Sequence, residues 1–175
     1  TVSSNLIDAL SRKPGISQLS TSPAISKPLI RGLGYNRILV INDGVRQEGQ
    51  QWGDEHGIEV DEYSVNKIEI LKGPASLIYG SDALGGVINI ITNVPVEEGT
   101  VKGNIIANYQ TNNRLRGTGG NIAGNNSGFN WNLYGSYKAA ADYSNKYDER
   151  VFNSKFFEKN AGGYIGYNGR WGYSH

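Results

Sequence analysis

The 175-residue chain holds 24 Gly, 11 Tyr and 3 Trp but no Cys and no Met. A disulfide scaffold, a thiolate zinc site and a cysteine nucleophile are therefore excluded, and 2 His leave little room for a His-rich centre. A formal net charge of +1 supplies no basic footprint for nucleic acid, and no apolar run is long enough for a transmembrane helix.

The chain starts at Thr1 with neither an initiator Met nor a charged-then-apolar leader, so it is expected to be cut from something longer. Ser3 or Ser4 is placed to cap a helix bearing Leu6, Ile7 and Leu10, which Lys13-Pro14-Gly15 would end. Leu29-Ile30-Arg31 reads as strand leading into Gly32-Leu33-Gly34. Ile38 to Asn42 is an apolar strand, and Asp43-Gly44 is the two-residue signal of a primed hairpin turn that returns Val45-Arg46-Gln47 antiparallel. A polar loop over 48–62 precedes a further strand, Lys67 to Lys72. Pro74 at a first helical position and Gly80 past the end predict a short helix between them. Val87 to Thr92 is the third strong strand, and its two-sided apolar character predicts a well-buried sheet.

Composition then changes. Residues 1–98 hold 6 of the 19 Asn and carry 8 Lys/Arg against 12 Asp/Glu, net −4. Residues 99–175 hold 13 Asn and carry 9 Lys/Arg against 4 Asp/Glu, net +5. A shift of this size across a short Pro95-containing stretch marks a domain boundary. Beyond it the period becomes two. Over 101–111 apolar and small residues take the odd positions and polar ones the even, with Ile106 as the exception; 129–139 and 161–173 repeat the alternation. Segments of about ten residues with one apolar face are expected of transmembrane β-strands, although a soluble antiparallel sheet with one wet face has the same period. Asn125 to Gly128 is a short turn and 142–158 a longer polar excursion.

Several stretches of the first part together resemble the plug domain of TonB-dependent outer-membrane receptors. They are Asn5 to Leu10 with Pro14-Gly15-Ile16, Ile30-Arg31-Gly32, Arg37 to Arg46, and above all Ile68 to Ser81 followed by Ala83 to Thr92. The resemblance spans residues 4–93 and implies an α+β plug over 1–96, a small mixed sheet with short helices. Antiparallel strands of a truncated transmembrane β-barrel would then occupy 97–175. A barrel of about 22 strands needs several hundred residues, so this stretch would supply its first strands only. Lys72 stands where the family more often has Arg, which loses the planar fork for carboxylate pairing. The upstream coupling box that recruits TonB is not in this stretch.

No nucleophile or orienting base accompanies the paired carboxylates Asp61-Glu62 or Glu97-Glu98, so an enzyme is not expected, nor is a cofactor. The Gly-rich segment 80–86 lacks the Lys-Ser/Thr of a phosphate loop. By position, the resemblance points to Arg31, Glu48, Gln50, Trp52 and Tyr63 as apical ligand contacts; packing of Trp52 against the barrel wall is the plainer reading. Asp54, Glu55 and His56 form a sharper cluster, one imidazole with carboxylates that suits a divalent metal, and solvated side chains are the alternative.

The resemblance implies uptake, across the outer membrane of a Gram-negative bacterium, of an iron-siderophore or haem. Its partners would be TonB, acting through the upstream segment, and outer-membrane lipid around the barrel, with no nucleic acid. A zinc-like divalent-metal receptor of the same family, or a non-transporting surface binding module, are the rival expectations. Strand edges after residue 100 are expected to be open and to pair with another chain or be poorly ordered.

Overall fold

The computed structural model describes residues 5–48, 57–58, 60–92, 96–147, 149–169 and 172–174. The chain divides into two compact units, Thr1–Thr92 and Asn93–His175.

The first unit opens with helix α1 (Leu6–Ser11), whose cap is Asn5 rather than Ser3 or Ser4. Asn5 Oδ1 accepts from Asp8 N at 2.9 Å, and its Nδ2 donates to Pro23 O and Ser26 Oγ, each at 3.0 Å. One side chain thus satisfies an orphan helix donor and pins the helix to the hairpin that follows. That hairpin is β1 (Ile16–Ser22) and β2 (Ile25–Ile30), a separate two-stranded sheet. Strands β3 (Ile38–Asn42), β4 (Val45–Arg46), β5 (Lys67–Leu71) and β6 (Gly86–Ile91) form a mixed sheet in the order β4-β3-β6-β5. Only β3 and β6 run parallel.

The register explains how both sheet faces are covered. Ile38, Val40, Ile88 and Ile90 pack with Leu6, Ile7, Leu10, Ile16 and Ile30, flanked by Ile68 and Ile70. The opposite face holds Leu39, Ile41, Val87 and Ala83, flanked by Leu71. Each fully buried aliphatic side chain contributes about 1.5–3 kcal/mol by leaving water. Asp43 (φ 47) and Gly44 (φ 83) are both left-handed, as a primed hairpin turn requires. The short helix expected there is a 3-10 helix, Gly73–Tyr79, followed by another at Ser81–Ala83. Ser76 Oγ, buried, lies 2.8 Å from Gly73 O and 2.7 Å from Ala83 O and joins the two turns. Gly86 has φ 142, and a Cβ there would stand 2.7 Å from Leu71 O, so only glycine fits.

The second unit is an antiparallel meander. Strands β7 (Thr100–Gln110), β8 (Leu115–Asn126) and β9 (Phe129–Ala140) are joined by short turns; Ser127 (φ 50) and Gly128 (φ 83) form the second. A longer excursion carries the small hairpin β10 (Ser144–Asn145) and β11 (Glu149–Arg150). Strands β12 (Phe156–Gly169) and β13 (Gly172–Ser174) complete a five-stranded sheet in the order β13-β12-β9-β8-β7. Among the described residues, β7 pairs along one edge only.

Candidate functional site

In the first unit, three of the side chains singled out from sequence fall within the described residues. Arg31 follows β2 with φ 52, exposed, its N–H donating to Gly15 O at 3.2 Å. Glu48 follows β4, and its carboxylate forms an ion pair with Arg46, Oε1 lying 3.3 Å from Nε. Tyr63 lies in the turn before β5, where its N–H donates to Asp61 Oδ1 at 3.1 Å. Arg31 sits on the connection after β2, whereas Glu48 and Tyr63 both belong to the connection between β4 and β5. Gln50, Trp52, Asp54, Glu55 and His56 lie outside the described residues.

What the fold does bring together is a charge triad that sequence separation hides. Arg46 bridges Glu48 and Asp82, the latter 36 residues away in the second 3-10 turn. The guanidinium hydrogen bond, and then its charge, hold the Asp82 carboxyl below the ordinary carboxylate range, and the same bond raises Arg46. At the far end of the sheet, Lys67 Nζ donates to Glu69 Oε1 at 2.7 Å, and Asn89 Nδ2 donates to Glu69 Oε2 at 3.1 Å. These bonds lower the Glu69 carboxyl, the Lys67 bond most.

A second tie closes the end of β6. Asp43 Oδ1 accepts from Thr92 N at 2.8 Å, Asp43 Oδ2 accepts from Thr92 Oγ1, and Asp43 N donates to Ile90 O at 2.9 Å. The hairpin turn thereby fastens the last residue of the unit. Lys72 Nζ donates to Pro14 O at 2.6 Å, so a single carbonyl, which needs no planar fork, engages the lysine. Among the described residues no group of three or more His, Cys, Asp or Glu is placed to hold a metal ion.

In the second unit the register sorts side chains onto two faces. Ile105, Gly120, Gly135 and Ala161 form one cross-strand row, and Gly103, Ile122, Leu133 and Gly163 another on the same side. That side also presents Val101, Tyr109, Phe129, Tyr137, Phe157, Ile165 and Tyr167, every one of them exposed. Ile105 is 87% exposed. The other side carries Asn104, Asn108, Asn121, Asn132, Ser136 and Asn160. There Lys138, buried, pairs with Glu158 at 3.2 Å and stands over the Phe156 ring at 5.9 Å. Ile106 is the one large aliphatic of β7 on the polar side.

Aromatics mark both ends of the apolar side: Phe129, Trp131 and Tyr167 near the Ser127-Gly128 turn, and Tyr109, Tyr137 and Phe157 towards the long excursion. From Phe129 to Ala139, which pairs with Arg116, is about 34 Å of strand. At a tilt of about 40° that is about 26 Å of height, the size of a lipid-facing apolar band between aromatic girdles.

Asp142, which the sequence did not single out, organises the excursion. Its Oδ1 accepts from Ser154 N at 3.0 Å and Lys155 N at 2.8 Å, and its Oδ2 from Arg150 Nε at 3.1 Å and Nη2 at 2.9 Å. Desolvation opposes ionisation here, but the Arg150 bond and the two backbone donors outweigh it and lower the carboxyl.

Residues 1–87 match the family model described as TonB-dependent Receptor Plug Domain. The chain belongs to the TonB-dependent receptors. Members of this family are receptors and transporters, not enzymes. The iron-regulated outer membrane virulence protein of Vibrio cholerae serotype O1 is 39% identical over 95 residues, covering 50% of this chain and 14% of that protein. Vitamin B12 transporter BtuB of Vibrio vulnificus is 37% identical over 94 residues, covering 53% of this chain and 15% of that protein. This receptor chain thus spans about one seventh of the curated relatives it matches. The siderophore receptor PirA from Acinetobacter baumannii superimposes with a TM-score of 0.71 at 23% identity, over 95% of this chain and 27% of that one. The fold is therefore a mixed-sheet plug followed by antiparallel strands of a partial barrel.

Proposed function

We propose that residues 1–96 are the plug and residues 97–175 the first wall strands of an outer-membrane receptor that takes up an iron chelate, a ferric siderophore or haem. The observation that carries this reading is the pairing of a plug with a sheet whose exposed aliphatics share one face while amides fill the other. In a closed barrel the first face meets lipid and the second lines a watery lumen. The iron-regulated name of one relative and the siderophore receptor title of a structural neighbour support the choice of ligand.

The mechanism is gating. Ligand contacts at the plug apex, from Arg31, Glu48 and Tyr63 with Gln50 and Trp52 in the same loop, shift the plug, and force from TonB on its periplasmic side rearranges it. Indole and phenol rings offer faces to a large ligand, and the guanidinium and amide offer hydrogen bonds. The Arg46–Glu48–Asp82 triad is suited to such a switch, because exposed ion pairs exchange partners at little cost.

Growth of a receptor knockout on a panel of iron, haem and zinc sources tests the ligand. Loss of growth on one iron chelate, restored by the full-length gene, is the expected result. A defect confined to zinc would replace it with the divalent-metal reading through Asp54, Glu55 and His56. In that case His56→Ala in the intact receptor would lower metal affinity.

A further inference from the structure

We infer that the apolar face of the wall carries a seat for one membrane lipid with an anionic phosphate headgroup. The inference rests on the membrane-facing reading above and gives that surface a specific occupant. A groove of about 440 Å³ runs over this face. Gly120 and Gly135 make its floor, and Ile105, Thr118 and Tyr137 its walls. The row is low because two adjacent strands place glycine at the same height, while the flanking strand β7 places isoleucine there. Such a trough matches a methylene chain, which fills it by dispersion contact without a polar partner.

The charges on this face all lie at one end of the trough. Facing outwards on β7, β8, β9 and β12 are two cations, Arg116 and Lys159, and no carboxylate. Arg116 stands two residues beyond Thr118 on β8, and Lys159 is paired beside Tyr137, with its Nζ 5.9 Å from the ring centroid. Both are exposed, and among the described residues neither has a carboxylate within ion-pair range. A soluble sheet face would intersperse both signs. Two cations at the rim of an apolar trough instead complement one molecule that is anionic at its head and apolar below. Tyr109 and Tyr137 sit at the same level, where amphipathic rings mark a headgroup boundary. A lipid is favoured over free phosphate because the trough continues below the charges with no charged residue in its lining, Thr118, Ser136 and Tyr137 being its only residues with polar side chains.

The test uses the full-length receptor containing this stretch, purified in detergent and titrated with dioleoyl phosphatidylglycerol or dioleoyl phosphatidylcholine. Native mass spectrometry counts retained lipid. The wild-type receptor is expected to hold the anionic lipid about thirtyfold more tightly, what two near-surface cations supply. Arg116→Gln with Lys159→Gln is expected to abolish the preference without lowering phosphatidylcholine retention. Gly135→Leu fills the floor and should weaken both lipids; a Cβ there meets only Asn160 O at 3.7 Å, so the backbone tolerates it. Equal retention of the two lipids by wild type, or an unchanged preference in the double variant, overturns the seat. Displacement of lipid by inorganic phosphate also overturns it, in favour of a soluble-anion site. Flotation with phosphatidylcholine vesicles separates the two levels: a receptor that floats without lipid preference sinks the seat alone, and one that fails to float sinks the membrane-facing reading as well.

Discussion

Ile88 and Ile105 are the same residue in strands of similar character, yet the first is 0% exposed and the second 87%. In the plug, isoleucine sits between a sheet and a helix and is shielded by its own unit. In the strand unit, it points out of the sheet and is left exposed among the described residues. The contrast teaches that aliphatic residues are placed in two ways here, and on the membrane-facing reading they serve two solvents. The plug builds its own dry interior, whereas the wall turns its aliphatics outwards and keeps amides and a Lys138–Glu158 pair on its other face.

The contrast breaks most visibly if core truncation is compared across it. Ile88→Ala should cost the plug about 2–5 kcal/mol, read as a lowered denaturation midpoint of the full-length receptor. Ile105→Ala should leave that midpoint unchanged, since lipid replaces the lost contacts. A similar loss at both positions would mean that Ile105 is buried against protein.

Charge insertion probes the wall itself. Leu133→Arg, near the middle of the apolar band, is expected to destabilise bilayer-folded receptor by about 2–4 kcal/mol. Asn104→Arg on the other face should stay within about 0.5 kcal/mol. Urea unfolding from lipid vesicles measures both, and equal effects would erase the distinction between faces.

Within the plug, Gly86→Ala places a methyl against Leu71 O at a backbone angle that L-residues avoid, and about 1–3 kcal/mol is the expected loss. Gly44→Ala, also left-handed but with open space around it, should cost about 1 kcal/mol, so the difference isolates the steric part.

The smallest effect is electrostatic. Asp82 has a lowered carboxyl pKa, so its tie to Arg46 is fully present above the ordinary carboxylate range and fades as pH falls through the lowered value. Amide exchange at Gln47 should quicken, relative to the intrinsic rate, between pH 7 and about pH 3. Asp82→Asn should show the faster exchange at both pH values.

The plug was legible where side chains carry a strong local signal. Strands β3, β5 and β6 are short apolar runs, and Asp43-Gly44 has the residues its turn needs. The β1–β2 hairpin was not legible. Five consecutive residues of β1 are exposed, so no alternation announces it, and Pro28 stands inside its partner. Strand β8 hid for a related reason: glycine and asparagine replace the expected apolar residues, and pairing on both sides defines the strand. Trp131 covers Gly124, where a Cβ would lie 2.7 Å from the ring, so part of the apolar cover of β8 comes from its neighbour. The helix expected after Gly73 formed as 3-10 turns because Ser76 bonds Ala83 O and tightens the segment. The Arg46–Asp82 and Asp142–Arg150 ties were not legible, because they depend on non-local polar geometry that no local pattern records.

The central claim is that one face of the strand unit meets lipid and the other water. This chain has no Cys, which permits single-site labelling along β9 in the full-length receptor, with any cysteine elsewhere removed. Variants from Phe129→Cys to Ala140→Cys would carry a nitroxide in reconstituted vesicles, and collision with oxygen and with a water-soluble nickel chelate would be measured at each. Oxygen access should peak at Phe129, Trp131, Leu133, Gly135 and Tyr137, with chelate access favouring the residues between them. Equal chelate access at Leu133 and its neighbours Asn132 and Tyr134 would show a sheet bathed by water on both faces and would contradict the claim.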